Sequence, residues 1–140
     1  MKKISILGLI AIALLMGAFQ FVSELSIHPK ELKHGLSIAF DRDGSTKRID
    51  AVFSNVLTFD SLVNMKSTLN ELGITLTYES MRFDPDGQLT QIECEVNCKD
   101  GMSGGFAADS LTIEKWTGFY RDYSHNAKTA FCAGPCAGRK

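Results

Sequence analysis

Residues 91–98 read Gln-Ile-Glu-Cys-Glu-Val-Asn-Cys, and apolar and polar side chains alternate without a break along them. A period of two predicts a β-strand with one face against an apolar core and the other face in water. The core-facing residues are Ile92, Cys94, Val96 and Cys98. Half of this face is cysteine, so the stretch that decides the fold also carries thiol chemistry.

Four other stretches show the same alternation: residues 35–41, 47–53, 74–83 and 102–108. Asp43-Gly44 separates the first two, and Asp-Gly is a strong signal for a tight hairpin turn. Asp84-Pro85-Asp86-Gly87 predicts a second turn, because proline fixes φ and glycine releases the chain. A phase slip at Glu79-Ser80 predicts a β-bulge in the third strand.

One segment changes from the strand period to a period of about 3.6 residues, which predicts a helix. Its apolar stripe consists of Leu62, Met65, Leu69 and Leu72. Thr58 is placed to cap the first turn, and Gly73 is placed to end the helix with positive φ. The order ββαβββ therefore predicts an α+β fold of two layers, an antiparallel sheet of about five strands with one helix packed on one face.

The N-terminus predicts export. Lys2 and Lys3 precede an apolar run, Ile4 to Phe19, which is long for a signal peptide and short for a membrane span. We expect a periplasmic or secreted protein; the alternative is an anchor to the inner membrane formed by residues 4–22. The predicted organisation is a signal peptide at 1–22, a polar lead-in at 23–34, the α+β domain at 35–124 and a flexible, cysteine-containing tail at 125–140.

Charge and motifs exclude several function classes. The formal net charge is −1, and no basic run is long enough to bind nucleic acid. The Gly-x-Ser-x-Gly match around Ser103 follows a polar turn and precedes a strand, unlike a nucleophile elbow. The match of residues 82–93 to a calcium loop begins with Arg82, where an aspartate is required. We therefore predict no catalytic residue, no metal site and no cofactor.

Four cysteines form two Cys-x-x-x-Cys pairs: Cys94 with Cys98, and Cys132 with Cys136. An even number in an exported chain favours disulfides. Residues four apart on a strand lie about 13 Å apart, whereas a disulfide needs Cα atoms about 4.4–6.8 Å apart, so Cys94 should not pair with Cys98. Four interpretations stay open: small core side chains at Cys94 and Cys98, two disulfides from the tail to the strand, a Cys132–Cys136 loop with two buried thiols, and a metal site, which the spacing of Cys94 and Cys98 on a strand disfavours.

An aromatic segment, residues 116–124, is the most distinctive part of the C-terminal region. One interpretation is a terminal strand whose aromatic rings close the open end of the core. The other is a recognition surface, since Trp, Tyr and Arg are enriched at binding hot spots. The candidate contact residues are Trp116, Phe119, Tyr120, Arg121 and Tyr123.

The layout of residues 60–124 resembles a small extracytoplasmic module at the C-terminal end of BlaR-type membrane metallopeptidases of some Gram-negative bacteria. The resemblance rests on four segments: Gly-Ile-Thr-Leu-Thr-Tyr (73–78), Phe-Asp-Pro-Asp-Gly-Gln-Leu-Thr-Gln-Ile (83–92), Lys-Asp-Gly-Met-Ser-Gly-Gly-Phe (99–106) and Gly-Phe-Tyr-Arg-Asp-Tyr-Ser (118–124). The peptidase part has no counterpart here, so the resemblance implies no catalytic residue. The cysteine pairs depart from the family pattern.

These observations predict an exported, non-enzymatic module that binds an unknown protein or peptide through strand edges and the aromatic segment. The alternative is a thiol–disulfide or metal-binding protein that uses the two cysteine pairs. We expect no nucleic-acid partner, and membrane contact only through an uncleaved N-terminal segment.

Overall fold

The computed structural model describes residues 35–136, so the predicted signal peptide, the polar lead-in and residues 137–140 lie outside it. Its elements are β1 (Gly35–Phe40), β2 (Thr46–Val52), α1 (Phe59–Glu71), β3 (Thr75–Phe83), β4 (Leu89–Asn97), β5 (Ser103–Asp109), β6 (Gly118–Asp122) and β7 (Phe131–Gly134). Within residues 35–136, no helix is long and apolar enough to cross a membrane.

The strands form two antiparallel sheets, ordered β1-β2-β6-β7 and β3-β4-β5. This confirms the α+β class and the antiparallel pairing. It corrects the prediction of a single sheet, because the chain leaves the first sheet through α1, builds the second, and then returns. On its return β6 pairs with β2, with Asp50 opposite Tyr120 and Ala51 opposite Phe119. The predicted tail contributes β7, which pairs with β6.

The core-facing sides of both sheets share one apolar cluster with α1. Phe53, at the end of β2, joins the sheets directly. Its ring lies 6.4 Å from that of Tyr78 on β3 and 5.7 Å from that of Phe106 on β5, measured between ring centroids. Ring pairs at such distances stabilise the fold beyond the contribution of the apolar area that they bury. Both sheets therefore bury one face against a common core.

Strand β4 is the middle strand of the three-stranded sheet, and its buried face is the one that the alternation of residues 91–98 predicts. Ile92, Cys94 and Val96 are buried, and Cys98, just after the strand, is buried too. The predicted bulge is present, since the register between β3 and β4 shifts between Tyr78 and Ser80.

Helix α1 begins and ends where the sequence predicts. The Thr58 hydroxyl accepts a hydrogen bond from the Ser61 amide at 3.3 Å, and Gly73 after the helix has φ +81°. The Tyr78 hydroxyl, on the second sheet, donates a hydrogen bond of 2.9 Å to the backbone carbonyl oxygen of Leu62. The helix contacts β3 and β1, so it bridges edge strands of the two sheets.

The other two edge strands, β5 and β7, contact each other across the seam between the sheets. Gly104 makes this possible, because a Cβ there would lie 3.2 Å from Phe131 Cε1 and 3.4 Å from Ala133 Cβ. The glycine-rich β5 is an edge strand of its sheet, and the missing side chain at Gly104 lets β7 pack close to it.

Candidate functional site

Strand β6 divides the aromatic segment between the core and the outer surface. Successive side chains on a strand point to opposite faces. Phe119 faces inward and is 0% exposed, so it belongs to the core and is not available to a partner. Tyr120 and Asp122 lie on the outer face, opposite Asp50 and Arg48 of β2.

Arg121, on the inner face of β6, ties the two sheets together. Its Nε and Nη2 atoms each lie 2.8 Å from Asp100 Oδ2, in the turn between β4 and β5. Its Nη1 donates to the carbonyl oxygens of Asp122 at 2.6 Å and Ala130 at 2.9 Å. The guanidinium also stacks on Tyr123, 4.4 Å from the ring centroid. We call Arg121, Asp100 and these two carbonyl groups the Arg121 clamp.

The Arg121 clamp also sets the ionisation of Asp100. Partial burial alone would raise the pKa of the Asp100 carboxyl. Hydrogen bonds from Arg121 and from the Met102 amide, with the positive charge of Arg121, outweigh burial and lower that pKa. The pair is therefore charged near neutral pH, and the role of Arg121 in this structure is internal.

The outer face of β2 and β6 carries a second arginine cluster. Arg48 Nε lies 2.6 Å from Asp50 Oδ2, and Arg48 Nη1 lies 3.2 Å from Asp122 Oδ2. The same guanidinium lies 4.7 Å from the centre of the Tyr120 ring, and Trp116 packs edge-on against Tyr120 at 6.3 Å. We call these five residues the aromatic–arginine strip.

Charges in the aromatic–arginine strip are mutually compensated. Burial would lower the pKa of Arg48, but the hydrogen bond and charge of Asp50 and the charge of Asp122 raise it overall. Burial would raise the pKa of Asp122, but hydrogen bonds from Ser124 and the charges of Arg48 and Lys47 lower it overall. The strip thus presents fixed charges on a rigid sheet.

A cleft begins at Tyr123, the residue after Asp122, and we call it the Tyr123 cleft. Its volume is about 540 Å³, and it lies between the β1–β2 turn and the chain after β6. Its lining residues are Asp41, Asp43, Ser45, Thr46, Lys47, Tyr123, Ser124 and His125. A backbone hydrogen bond of 2.9 Å from Tyr123 N to Lys47 O holds the two walls together.

The Tyr123 cleft is polar with one aromatic wall. Lys47 Nζ lies 3.5 Å from Asp41 Oδ1, and Asp43 accepts hydrogen bonds from the amide and hydroxyl of Ser45. The hydrogen bonds from Ser45 lower the pKa of the Asp43 carboxyl. Tyr123 is 36% exposed, and burial of the rest raises the pKa of its hydroxyl. Such a cleft can hold a polar segment against a ring.

The cysteines adopt the mixed arrangement among those left open by the sequence. Cys132 and Cys136 form a disulfide with Cα atoms 6.1 Å apart, and Cys94 and Cys98 are buried free thiols. Phe131 and Ala133 of β7 pack towards the core, so Cys132 lies on the opposite face of that strand. Disulfides from the tail to β4 are therefore not formed.

Burial suppresses ionisation of both free thiols. It raises the pKa of Cys94 to about 12. It also raises the pKa of Cys98 to about 11, with a smaller contribution from the charge of Asp100. In the part of the chain that the structure describes, no three or more His, Cys, Asp and Glu side chains are grouped to hold a metal ion.

The other two sequence motifs lie in ordinary secondary structure. Asp84 Oδ1 accepts hydrogen bonds from the amides of Asp86 and Gln88, so residues 84–87 form the predicted turn between β3 and β4. Ser103 begins β5 and is exposed. It lines a shallow cleft of about 410 Å³, in which Glu95 is the one titratable lining residue.

Sequence reasoning found Trp116, Tyr120 and Tyr123 but missed the residues that surround them. Arg48 and Asp50 alternate with the core-facing residues of β2, so the strand period predicts that they face outward. It does not reveal that β6, far along the chain, pairs with this strand.

No family model matches this chain, and neither a curated protein nor a solved structure matches it. The resemblance to the BlaR-type module stays a prediction.

Proposed function

We propose that this protein is an exported, non-enzymatic module that binds a protein or peptide through the Tyr123 cleft and the adjoining aromatic–arginine strip. The observation that carries the proposal is the cleft, where Tyr123 of the aromatic segment meets the β1–β2 turn. The cleft is an open depression of about 540 Å³ on the surface, not an enclosed pocket.

The composition of this surface supports recognition of a polypeptide. Trp, Tyr and Arg are enriched among the few residues that carry most of the binding energy at protein interfaces, and the strip contains all three. Arg48 and Tyr120 lie on paired strands, so hydrogen bonds of the sheet fix their positions. A rigid surface loses little conformational entropy when it binds.

The members of the aromatic segment then have different roles. Trp116 and Tyr123 remain contact candidates, whereas Tyr120 lies on the outer face but is only 8% exposed. Phe119 fills the core and Arg121 joins the sheets, so both support the surface from beneath. Deletion of residues 116–140 would remove β6 and β7 and would test folding instead of binding.

Site-specific photocrosslinking tests the proposal in the cell with the full chain. A photoreactive residue is placed at Ser45, on the rim of the Tyr123 cleft, and in a matched control at Thr77, exposed on the other sheet. We expect a protein or peptide adduct at position 45 and none at 77. Equal adducts at both positions, or none at 45, would contradict the proposed surface.

Export is part of the proposal and has its own test. Residues 1–22 have the composition of a signal peptide, so we expect the mature chain in the periplasm or medium without them. The intact mass of the fractionated protein measures this. A full-length mass in the membrane fraction would instead support the anchored alternative.

A further inference from the structure

Strand β7 is held differently at its two ends. At the Phe131 end, Ala130 O accepts hydrogen bonds from Arg121 Nη1 at 2.9 Å and from the Asp122 amide at 2.8 Å. At the Gly134 end, the Cys132–Cys136 disulfide closes a short loop. The first end is part of the Arg121 clamp. At the second end Gly134 pairs with Gly118, and the disulfide restrains the backbone by joining β7 to the residue two places after it, a bond that thiol chemistry can break.

Between these ends β7 is a short edge strand. It has four residues, and β6 is its hydrogen-bonded neighbour among the strands of residues 35–136. On its other side it meets β5 through side-chain packing, with Phe131 and Ala133 close to Gly104. A short edge strand with one paired side is among the least protected parts of a fold.

The two sulfur atoms differ in access. Cys132 is half-buried on the outer face, whereas Cys136 is 7% exposed. Exchange begins by attack of an external thiolate on an accessible sulfur. Cys94 and Cys98, the other two cysteines of the sequence, are buried thiols and do not compete. The pair in β7 is therefore the one open to exchange.

We propose that the Cys132–Cys136 disulfide is a redox-sensitive latch whose reduction by a dithiol releases the Gly134 end of β7 from β6 and β5. A thiolate of the dithiol attacks Cys132 Sγ, the disulfide breaks, and its electron pair goes to Cys136 Sγ, which takes up a proton. The second thiol of the dithiol then displaces Cys132, which leaves two cysteine thiols here and a disulfide in the reductant.

The position of the latch links it to the outer surface. Cys132 lies directly opposite Tyr120 in the β6–β7 ladder, and Gly134 lies opposite Gly118. Release of β7 uncovers the β6 edge beside the aromatic–arginine strip. An uncovered edge of this kind can pair with another strand.

Amide hydrogen exchange of the full oxidised chain, followed by NMR with and without dithiothreitol, tests the latch. We expect exchange at Cys132 and Gly134 to become about tenfold faster or more on reduction, since the loop constraint is lost. Exchange in the middle of β4, at Ile92 to Val96, should not change. Equal rates in both redox states, or a uniform increase over all strands, would overturn the proposal.

Two variants assign the effect to the correct cysteines. The double variant Cys132→Ser, Cys136→Ser should show the fast exchange without reductant and no response to dithiothreitol. The double variant Cys94→Ala, Cys98→Ala should keep the full response. The latch would be refuted if the Cys132→Ser, Cys136→Ser variant still responded to dithiothreitol. It would also be refuted if the Cys94→Ala, Cys98→Ala variant folded and lost the response.

Discussion

Replacing Arg121 by Met removes the Arg121 clamp while keeping an unbranched side chain of similar length against the core. Arg121 and Asp100 are 12% and 31% exposed, so their ion pair lies between the exposed and the buried limit. Exposed pairs contribute about 0.2–1 kcal/mol, and hydrogen bonds to charged groups about 1.5–3 kcal/mol, so we assign this pair about 1–2 kcal/mol. The two carbonyl hydrogen bonds add about 1 kcal/mol each.

We therefore expect Arg121→Met to lower the free energy of unfolding by about 3–4 kcal/mol. Urea unfolding followed by Trp116 fluorescence measures it. A double-mutant cycle with Asp100→Asn isolates the ion pair, which should give a coupling energy of about 1–2 kcal/mol. Arg82→Met, at an exposed position of β3, is the matched control and should change stability by less than about 0.5 kcal/mol. A coupling energy within error of zero would refute the clamp.

The same pair gives the protein a dependence on pH. The pKa of Asp100 is lower in the folded state than its ordinary value of 3.8. A carboxyl whose pKa is lowered by folding makes its full contribution to the free energy of unfolding at any pH above its pKa in the unfolded chain. That contribution is lost as the pH falls through its pKa in the folded state. Stability should thus fall more steeply below pH about 4 in the native sequence than in Asp100→Asn.

Three further changes test the fold around the site. Thr58→Ala should cost about 1 kcal/mol through loss of the helix cap, and Thr58→Ser, which keeps the hydroxyl, should cost less in the same urea titration. Gly118→Ala brings a Cβ against the backbone carbonyl of Ala51 and should destabilise by about 3 kcal/mol or more, whereas Gly104→Ala meets the edge of the Phe131 ring, which can shift, and touches Ala133 Cβ at 3.4 Å, so it should cost less. Iodoacetamide at pH about 8 should leave Cys94 and Cys98 unmodified in the native protein and label both in guanidinium, as read by mass; rapid native labelling would contradict their burial.

The elements from β1 to β5 could be predicted because their signals are local. Asp43-Gly44 and the turn at residues 84–87 specify hairpins through backbone angles that few residues adopt. Thr58 and Gly73 bound α1 for a similar reason. The division into two sheets could not be predicted, because an alternating strand shows which face is buried and does not show which strand pairs with it.

The candidate site depends on the pairing of β2 with β6, which the sequence does not predict. One wall of the Tyr123 cleft comes from the β1–β2 turn and the other from the chain after β6, and only the pairing of β2 with β6 brings them together. Tyr123 was selected for its residue type alone. Lys47 and Asp43 had no sequence signal beyond a polar turn.

Arg121 shows why residue type cannot separate a contact for a partner from a contact inside the fold. An interface between two sheets of one chain needs the same features as an interface between two chains, namely planar donors, an acidic partner and an aromatic ring to stack on. Arg121 meets all three needs internally, with Asp100 and Tyr123. The register of β6 is what distinguishes the two cases, since it turns Phe119 and Arg121 inward and Tyr120 outward. The aromatic segment thus combines the two interpretations that its sequence left open: Phe119 and Arg121 join the sheets, while Trp116 and the exposed part of Tyr123 belong to the proposed contact surface.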